Sequence, residues 1–330
     1  MVSRTEMPSM ANRLTALNAR LESMMPVLTP TGVLLGFVLS STFVLLKPLI
    51  PWLFALMTLS GSLKLRARDL GAAVANPLPV LAFFVSAHVL MPLAALAVSS
   101  LFLPGDADTA AGFVLLFSTP TAISSFIWVS MFRGDGALAL AIILLDILAA
   151  PFVVPFSTSL LLGTNIAMDA SAMASSLVLM IAIPTVLGVA LNEATRGAAP
   201  KFAGPFLGPV AKLCLILVVS ANAAAIAPQV DLGGSRTWII GGIGLLLAAS
   251  GFVLGKLIGL APSLRGPKAR TLVFSVGLRN ISAAATLAIA YFPEAAALPA
   301  ILGMIFQQSL AAVFGRILLG KPIPKNGGDE

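Results

Sequence analysis

The sequence predicts an all-α polytopic membrane protein of ten transmembrane helices, and three observations predict it. Of the 330 residues, 58% are hydrophobic and only 10% charged, with a mean hydropathy of +1.01, whereas soluble domains carry about 25% charged residues. Apolar blocks near the bilayer-spanning length of about 20 residues follow one another with short punctuation. Lysine and arginine gather in alternate connections. Ten spans leave no room for a soluble catalytic or nucleic-acid-binding domain. The net charge of +7 and the pI near 10.1 therefore bear on topology and not on a nucleic-acid partner. One cysteine, Cys214, and one histidine, His88, supply neither a disulfide framework nor a metal-ligand set.

Residues 1–26 contain no continuous apolar run of the secretory kind. Met10, Leu14, Leu17, Leu21 and Met24 recur at spacings of four and three, with Arg13, Asn18, Arg20 and Glu22 between them. That stripe predicts a short amphipathic helix lying on the membrane surface. After Pro26 the spans are 27–46, 48–63, 76–103, 108–132 and 135–161, then 171–193, 205–227, 236–261, 271–292 and 296–320, with a tail over 321–330. The fourth is interrupted by Ser118-Thr119-Pro120-Thr121 and the ninth by Val276-Gly277-Leu278. Such breaks are tolerated at membrane depth only where protein or a water-filled cavity satisfies the freed backbone groups.

Placing the N-terminus in the cytoplasm puts fifteen of the 20 basic residues inside: Arg4, Arg13 and Arg20; Lys64, Arg66 and Arg68; Arg133; Arg196 and Lys201; Arg265, Lys268 and Arg270; Arg316, Lys321 and Lys325. Only Lys47 and Arg236 fall in outer loops, which carry Asp106, Asp108, Asp169, Asp231 and Glu294 instead. Positive charge marks the cytoplasmic side, so both termini are expected inside, in a bacterial inner (plasma) membrane. Five spans over 27–161 followed by five over 171–320 invert the second set relative to the first. The two broken spans hold the same place in each half, which points to an inverted-repeat transporter with its site near the midplane.

Two charged residues lie deep in the spans, Asp146 in the fifth and Arg279 at the break of the ninth. Charge at that depth is costly and faces the protein interior with a partner. The pair either locks helices together or takes part in transport. His88, in the third span, reads as a packed, hydrogen-bonded group before a proton relay. Gln307 and Gln308 serve equally as interhelical glue or as cavity lining.

The stretch Ser118-Thr119-Pro120-Thr121-Ala122-Ile123-Ser124-Ser125, continuing through Phe132-Arg133-Gly134-Asp135-Gly136 to Ala150-Pro151, resembles the fourth and fifth helices of the bile acid:sodium symporter family. Ser275-Val276-Gly277-Leu278-Arg279-Asn280, Met91-Pro92, and the phrase Phe54 to Gly61 with Lys64 also look like that family. The resemblance implies a ten-helix inverted repeat. Helices 1, 2, 6 and 7 would form a panel domain, helices 3–5 and 8–10 a core domain, and helices 4 and 9 would cross at their unwound centres. It also implies alternating-access transport of an organic anion, held near Thr121, Ser124, Ser125, Arg279, Asn280, Gln307 and Gln308.

The chain departs from the sodium-coupled pattern. Where that pattern has Glu, Val, Gly, Met, Gln, Asn on the ninth helix, this chain has Ser275 in place of the anionic ligand and Arg279 in place of the amide. The other sodium positions correspond to Ser125, Phe126, Ala139 and Ile143, of which only the serine offers an oxygen. Hard cations need several oxygen ligands, and a permanent guanidinium charge repels them. The expectation is a transporter of a small carboxylate that needs no sodium and no other cofactor, with Arg279 replacing the bound cation. Ala139, Ile143 and Asp146 share one helix face. Asp146 is therefore expected to pair with Arg279 and to carry a proton if transport is proton-coupled. A sodium-coupled symporter with a rearranged site, and a non-transporting sensor or scaffold, are the competing readings. An arsenite-type carrier would need a cysteine in the fourth helix, and Cys214 lies in the seventh.

Overall fold

The computed structural model describes residues 10–75, 77–163, 168–231 and 233–321, and these are helical with no strand among them. In chain order the main helices are α1 (Met10–Val38), α2 (Ser40–Ser62), α3 (Pro77–Phe102), α4 (Ala107–Ser118), α5 (Ser125–Met131) and α6 (Gly136–Leu162). They continue with α7 (Ala170–Ala194), α8 (Gly204–Ile226), α9 (Ser235–Ile258), α10 (Pro267–Gly277), α11 (Ile281–Tyr291) and α12 (Leu298–Leu319). Eight of these segments, all but α4, α5, α10 and α11, are long and apolar enough to cross a membrane. The chain is an integral membrane protein.

Side chains start several helices by accepting the backbone N–H groups that a first turn leaves unpaired. Asp106 accepts from Thr109 at 3.1 Å ahead of α4, and Asp135 from Leu138 at 3.0 Å ahead of α6. Asp169 accepts from Ala172 at 2.9 Å ahead of α7.

The N-terminal part differs from expectation. Instead of a surface helix ending near residue 26, one helix runs to Val38 with Pro26 and Pro30 inside it. A proline costs a helix one hydrogen bond, and packing on α8 on both sides of the prolines carries α1 across them. Before them, Lys212 Nζ lies 2.6 Å from Asn18 Oδ1 and 3.2 Å from Glu22 Oε2. After them, Ser220 donates to the Gly32 carbonyl at 2.8 Å, and a Cβ on Gly36 would fall 2.3 Å from the Ser220 carbonyl oxygen. Part of the expected apolar stripe, Leu17 and Met24, is exposed, and residues 1–9 lie outside the described residues. The boundary between the first two spans also moves, from Lys47 to Leu39. Pro48 sits in a 3-10 stretch, Val44–Leu49, that leads directly into the helix from Ile50. The tail beyond 321 lies outside the described residues.

α1, α2, α7 and α8 pack on one another, with Ser62 on α2 hydrogen-bonded to Thr185 on α7 at 3.1 Å. α9 and α12 enclose the short helices together with α3 and α6. Every residue of α4 from Thr109 to Ser118 is buried, as is every residue of α10 from Thr271 to Gly277. The first halves of both interrupted spans are thus shielded by protein up to the break, as their loose backbone ends require.

Candidate functional site

Both expected interruptions are present, and local chemistry explains each. Pro120 disfavours helical geometry at Thr119, whose ψ of 154° is extended. On the other side α10 ends at Gly277, and Leu278 is extended with φ −107° and ψ 126°. The two loosened segments satisfy each other. Thr121 and Arg279 form an antiparallel bridge, Asn280 N–H donates to the Pro120 carbonyl at 2.8 Å, and Ala122 N–H to the Leu278 carbonyl at 3.4 Å. The Thr121 hydroxyl lies 3.0 Å from both the Ser275 and Leu278 carbonyl oxygens. Asn280 then caps α11, accepting from Ala283 N–H at 3.2 Å.

Asp146, fully buried on α6, braces this junction. One carboxylate oxygen accepts the Thr121 backbone N–H at 2.6 Å, and the other lies 2.7 Å from His88 Nε2. The expected ion pair between Asp146 and Arg279 is not formed; the carboxylate's direct partner is His88. The reason lies in the backbone of α3. Residues Ser86–Leu90 form a π-turn in which Met91 N–H reaches the Ser86 carbonyl. Pro92, next in line, has no N–H. The Ala87 carbonyl is left without a helical donor, and Arg279 supplies one: its guanidinium donates to Ala87 O at 3.2 Å and to Thr119 O at 3.4 Å. The side chain is 2% exposed and is held by these carbonyls rather than by a carboxylate.

A cavity of about 210 Å³ lies where the junction faces α1 and α2. Ser124, Asn280, Gln307 and Gln308 line it from the junction side, and Thr29, Met57 and Thr58 from the other. Arg279 also touches it, although its guanidinium points into the packed interior. Gln307 Oε1 accepts the Arg279 backbone N–H at 3.3 Å, and Gln308 Oε1 accepts from the Trp128 indole at 3.1 Å. Thr121 and Ser125 are fully buried away from the cavity. Of the positions matched to the sodium pattern, Ala139, Ile143, Ser125 and Ser275 are buried, and the two serine hydroxyls have no partner. Phe126 packs on the apolar core. Among the described residues no cluster of three His, Cys, Asp or Glu side chains could hold a metal ion.

Sequence reasoning missed two things. His88 was visible as a lone histidine in an apolar span, and its pairing with Asp146 depends on the relative depth of two helices. Thr29, Met57 and Thr58 carry no charge signal, although Met57 and Thr58 fall within the family-like phrase from Phe54 to Gly61.

An all-helical membrane protein with a polar cavity at two mutually bridged helix interruptions has the build of a membrane transporter. Residues 50–230, more than half of the chain, match the model of the Sodium Bile acid symporter family. The chain belongs to that family, and it is a transporter and not an enzyme. It is 40% identical over 295 residues to "Uncharacterized protein YbaS" of Bacillus subtilis (strain 168), covering 89% of this chain and 96% of the relative. It is 27% identical over 269 residues to "Probable sodium/metabolite cotransporter BASS3, chloroplastic" of Oryza sativa subsp. japonica, covering 79% of this chain and 60% of that one. "Uncharacterized sodium-dependent transporter YocS" of Bacillus subtilis (strain 168) is 24% identical over 300 residues, 90% of this chain and 91% of the relative.

Proposed function

We propose that this protein carries a small organic anion across a bacterial inner membrane by alternating access without sodium, and that Arg279 supplies the positive charge a bound cation gives elsewhere. The observation that carries the reading is the Arg279 guanidinium donating to the Ala87 and Thr119 carbonyls inside the bridged junction. Those oxygens are what a small cation at an unwound helix would ligate. Phe126, Ala139 and Ile143 offer a cation no oxygen, and the two buried serine hydroxyls are too few for a hard ion beside a fixed positive charge. The sodium in the names of BASS3 and YocS belongs to those relatives.

Two features support an anion. The N-terminus of α11, a positive helix end, opens toward the cavity through Asn280 and Ser282. The cavity also has amide and hydroxyl groups but no carboxylate in its lining. Its size, below the roughly 300 Å³ of drug-sized sites, favours a small carboxylate. In this reading ten spans form a 5+5 inverted repeat with both termini cytoplasmic. The α1, α2, α7 and α8 group acts as the panel against which the rest moves, and Asp146 carries a proton when transport is coupled to one. Uptake of radiolabelled small carboxylates into proteoliposomes, with sodium or choline as the gradient ion, tests this. Equal uptake in both supports it, and a strict sodium requirement overturns it.

A further inference from the structure

The lone histidine is not used by the reading above, and its setting is unusual. His88 sits in the π-turn of α3, 8% exposed, with Nε2 at 2.7 Å from Asp146 Oδ1. Its other nitrogen, Nδ1, is buried and has no hydrogen-bond partner. With Nε2 donating to the carboxylate, Nδ1 carries a bare lone pair in a low-dielectric interior, which is the arrangement of a proton acceptor. The aromatic rings of Phe83 and Phe84 flank the imidazole, with centroids 6.1 and 5.4 Å away, and offer it no competing acceptor.

The charges around it are few. The segment packs against α4, α6 and α9. At this depth Asp146 comes from α6, and Arg279 approaches from the junction through the Ala87 carbonyl. α3 contains no acidic or basic residue besides His88, Asp108 lies at the end of α4, and Arg236 and Lys256 lie at the two ends of α9. With Asp146 ionised and His88 neutral, the carboxylate balances Arg279 and the buried group carries no net charge.

We propose that His88 and Asp146 are one proton-binding unit, with His88 Nδ1 as the port. This rests on the anion-transport reading and names the coupling site within it. A hydronium ion gives a proton to Nδ1, forming the N–H bond, and leaves as water. The Nε2–H bond then breaks and its proton passes to Asp146 Oδ1, leaving a neutral imidazole of the opposite tautomer and a neutral carboxylic acid. Nothing is oxidised or reduced, and one positive charge has been added. Two consequences follow at once. The Thr121 N–H, which donates to Asp146 Oδ2 at 2.6 Å, loses a charged acceptor, so the bridged junction loosens. Arg279 loses its counter-charge, so an anion in the adjoining cavity now balances it. One proton and one anion are thereby bound together, and each favours the other.

Because the chain has a single histidine, nitrogen NMR on protein isotope-labelled only in histidine reads this site alone, with no substrate and no transport. The expected result is a neutral imidazole protonated at Nε2 with bare Nδ1 at the alkaline end, converting on acidification to the tautomer protonated at Nδ1. In Asp146→Asn that change should be displaced along the pH axis. An imidazole already protonated at Nδ1 at the alkaline end of the titration, or resonances that do not respond to pH in the wild-type protein, overturns the proposal even if Asp146→Asn fails to fold. A titration identical in Asp146→Asn overturns it as well. The uptake assay can fail while this measurement holds, so the two readings are tested separately.

Discussion

Thr121 and Arg279 face each other as an antiparallel bridge at the point where two helices are interrupted. Each has a second tie: Thr121 through its N–H to Asp146 at 2.6 Å, and Arg279 through its guanidinium to Ala87 at 3.2 Å. Four helices, α4, α6, α10 and α3, are therefore fastened through two adjacent residues.

Arg279→Leu leaves the Ala87 and Thr119 carbonyls without a donor and Asp146 without a nearby countercharge. Removing one member of a buried charged group costs about 3 to 5 kcal/mol. A marked fall in the thermal midpoint in detergent is expected, with a smaller fall for Arg279→Lys, which keeps the charge but loses the planar fork. An unchanged midpoint for the leucine variant would contradict the role given to the guanidinium.

Gln307→Glu places a negative charge on the cavity wall beside the Arg279 backbone. Like charge should weaken carboxylate binding at least tenfold, about 1.4 kcal/mol, while Gln307→Asn has a smaller effect. Concentration dependence of uptake measures both. Equal affinity in the glutamate variant would argue for an uncharged substrate.

Asp106 joins the starts of α4 and α9, accepting from Arg236 Nη2 at 2.7 Å and from Thr109 N–H at 3.1 Å. Burial pushes its carboxyl up, but the hydrogen bonds from Arg236 and Thr109 outweigh this and hold it below the ordinary value of 3.8. A lowered carboxyl stabilises the fold above that ordinary value and loses its contribution as pH falls through the lowered one. Melting curves should show wild type losing stability in that acid range. Asp106→Ala should lose about 1 kcal/mol for the missing cap and show less of the acid-dependent decline.

Tyr291, the one tyrosine in the chain, ties α11 to α7. Its hydroxyl donates to the Ala172 carbonyl at 3.0 Å and meets the Ser176 hydroxyl. Nearby, Asn222 on α8 donates to Thr286 on α11 at 3.1 Å. Tyr291→Phe should cost about 1 kcal/mol and increase labelling, by membrane-impermeant thiol reagents, of a cysteine introduced at Ser176. Unchanged labelling would mean that these hydrogen bonds do not hold the two helices together.

The helical class, the two interruptions and the deep charges were legible because proline and glycine in apolar runs, and ionisable groups among them, are costly enough to mark themselves. Pairing was not. Asp146 and Arg279 are the only opposite charges at that depth, so composition favours joining them, but the π-turn that Pro92 imposes on α3 frees the Ala87 carbonyl and turns His88 toward the carboxylate. The continuity of α1 was hidden for a related reason. Pro26 reads as a boundary, and only the fit of Asn18, Glu22, Gly32 and Gly36 on α8 shows why the helix passes through it.

The central claim is that a guanidinium fixed in the chain occupies the role of a metal ion drawn from solution. Equilibrium binding of radiolabelled sodium to the purified protein tests it most directly, alongside the double variant Ser275→Glu, Arg279→Gln, which restores the two sodium-pattern residues on α10 and its junction. The account predicts no saturable sodium binding by the wild-type protein and measurable binding by the double variant. Saturable, stoichiometric sodium binding by the wild-type protein would contradict it.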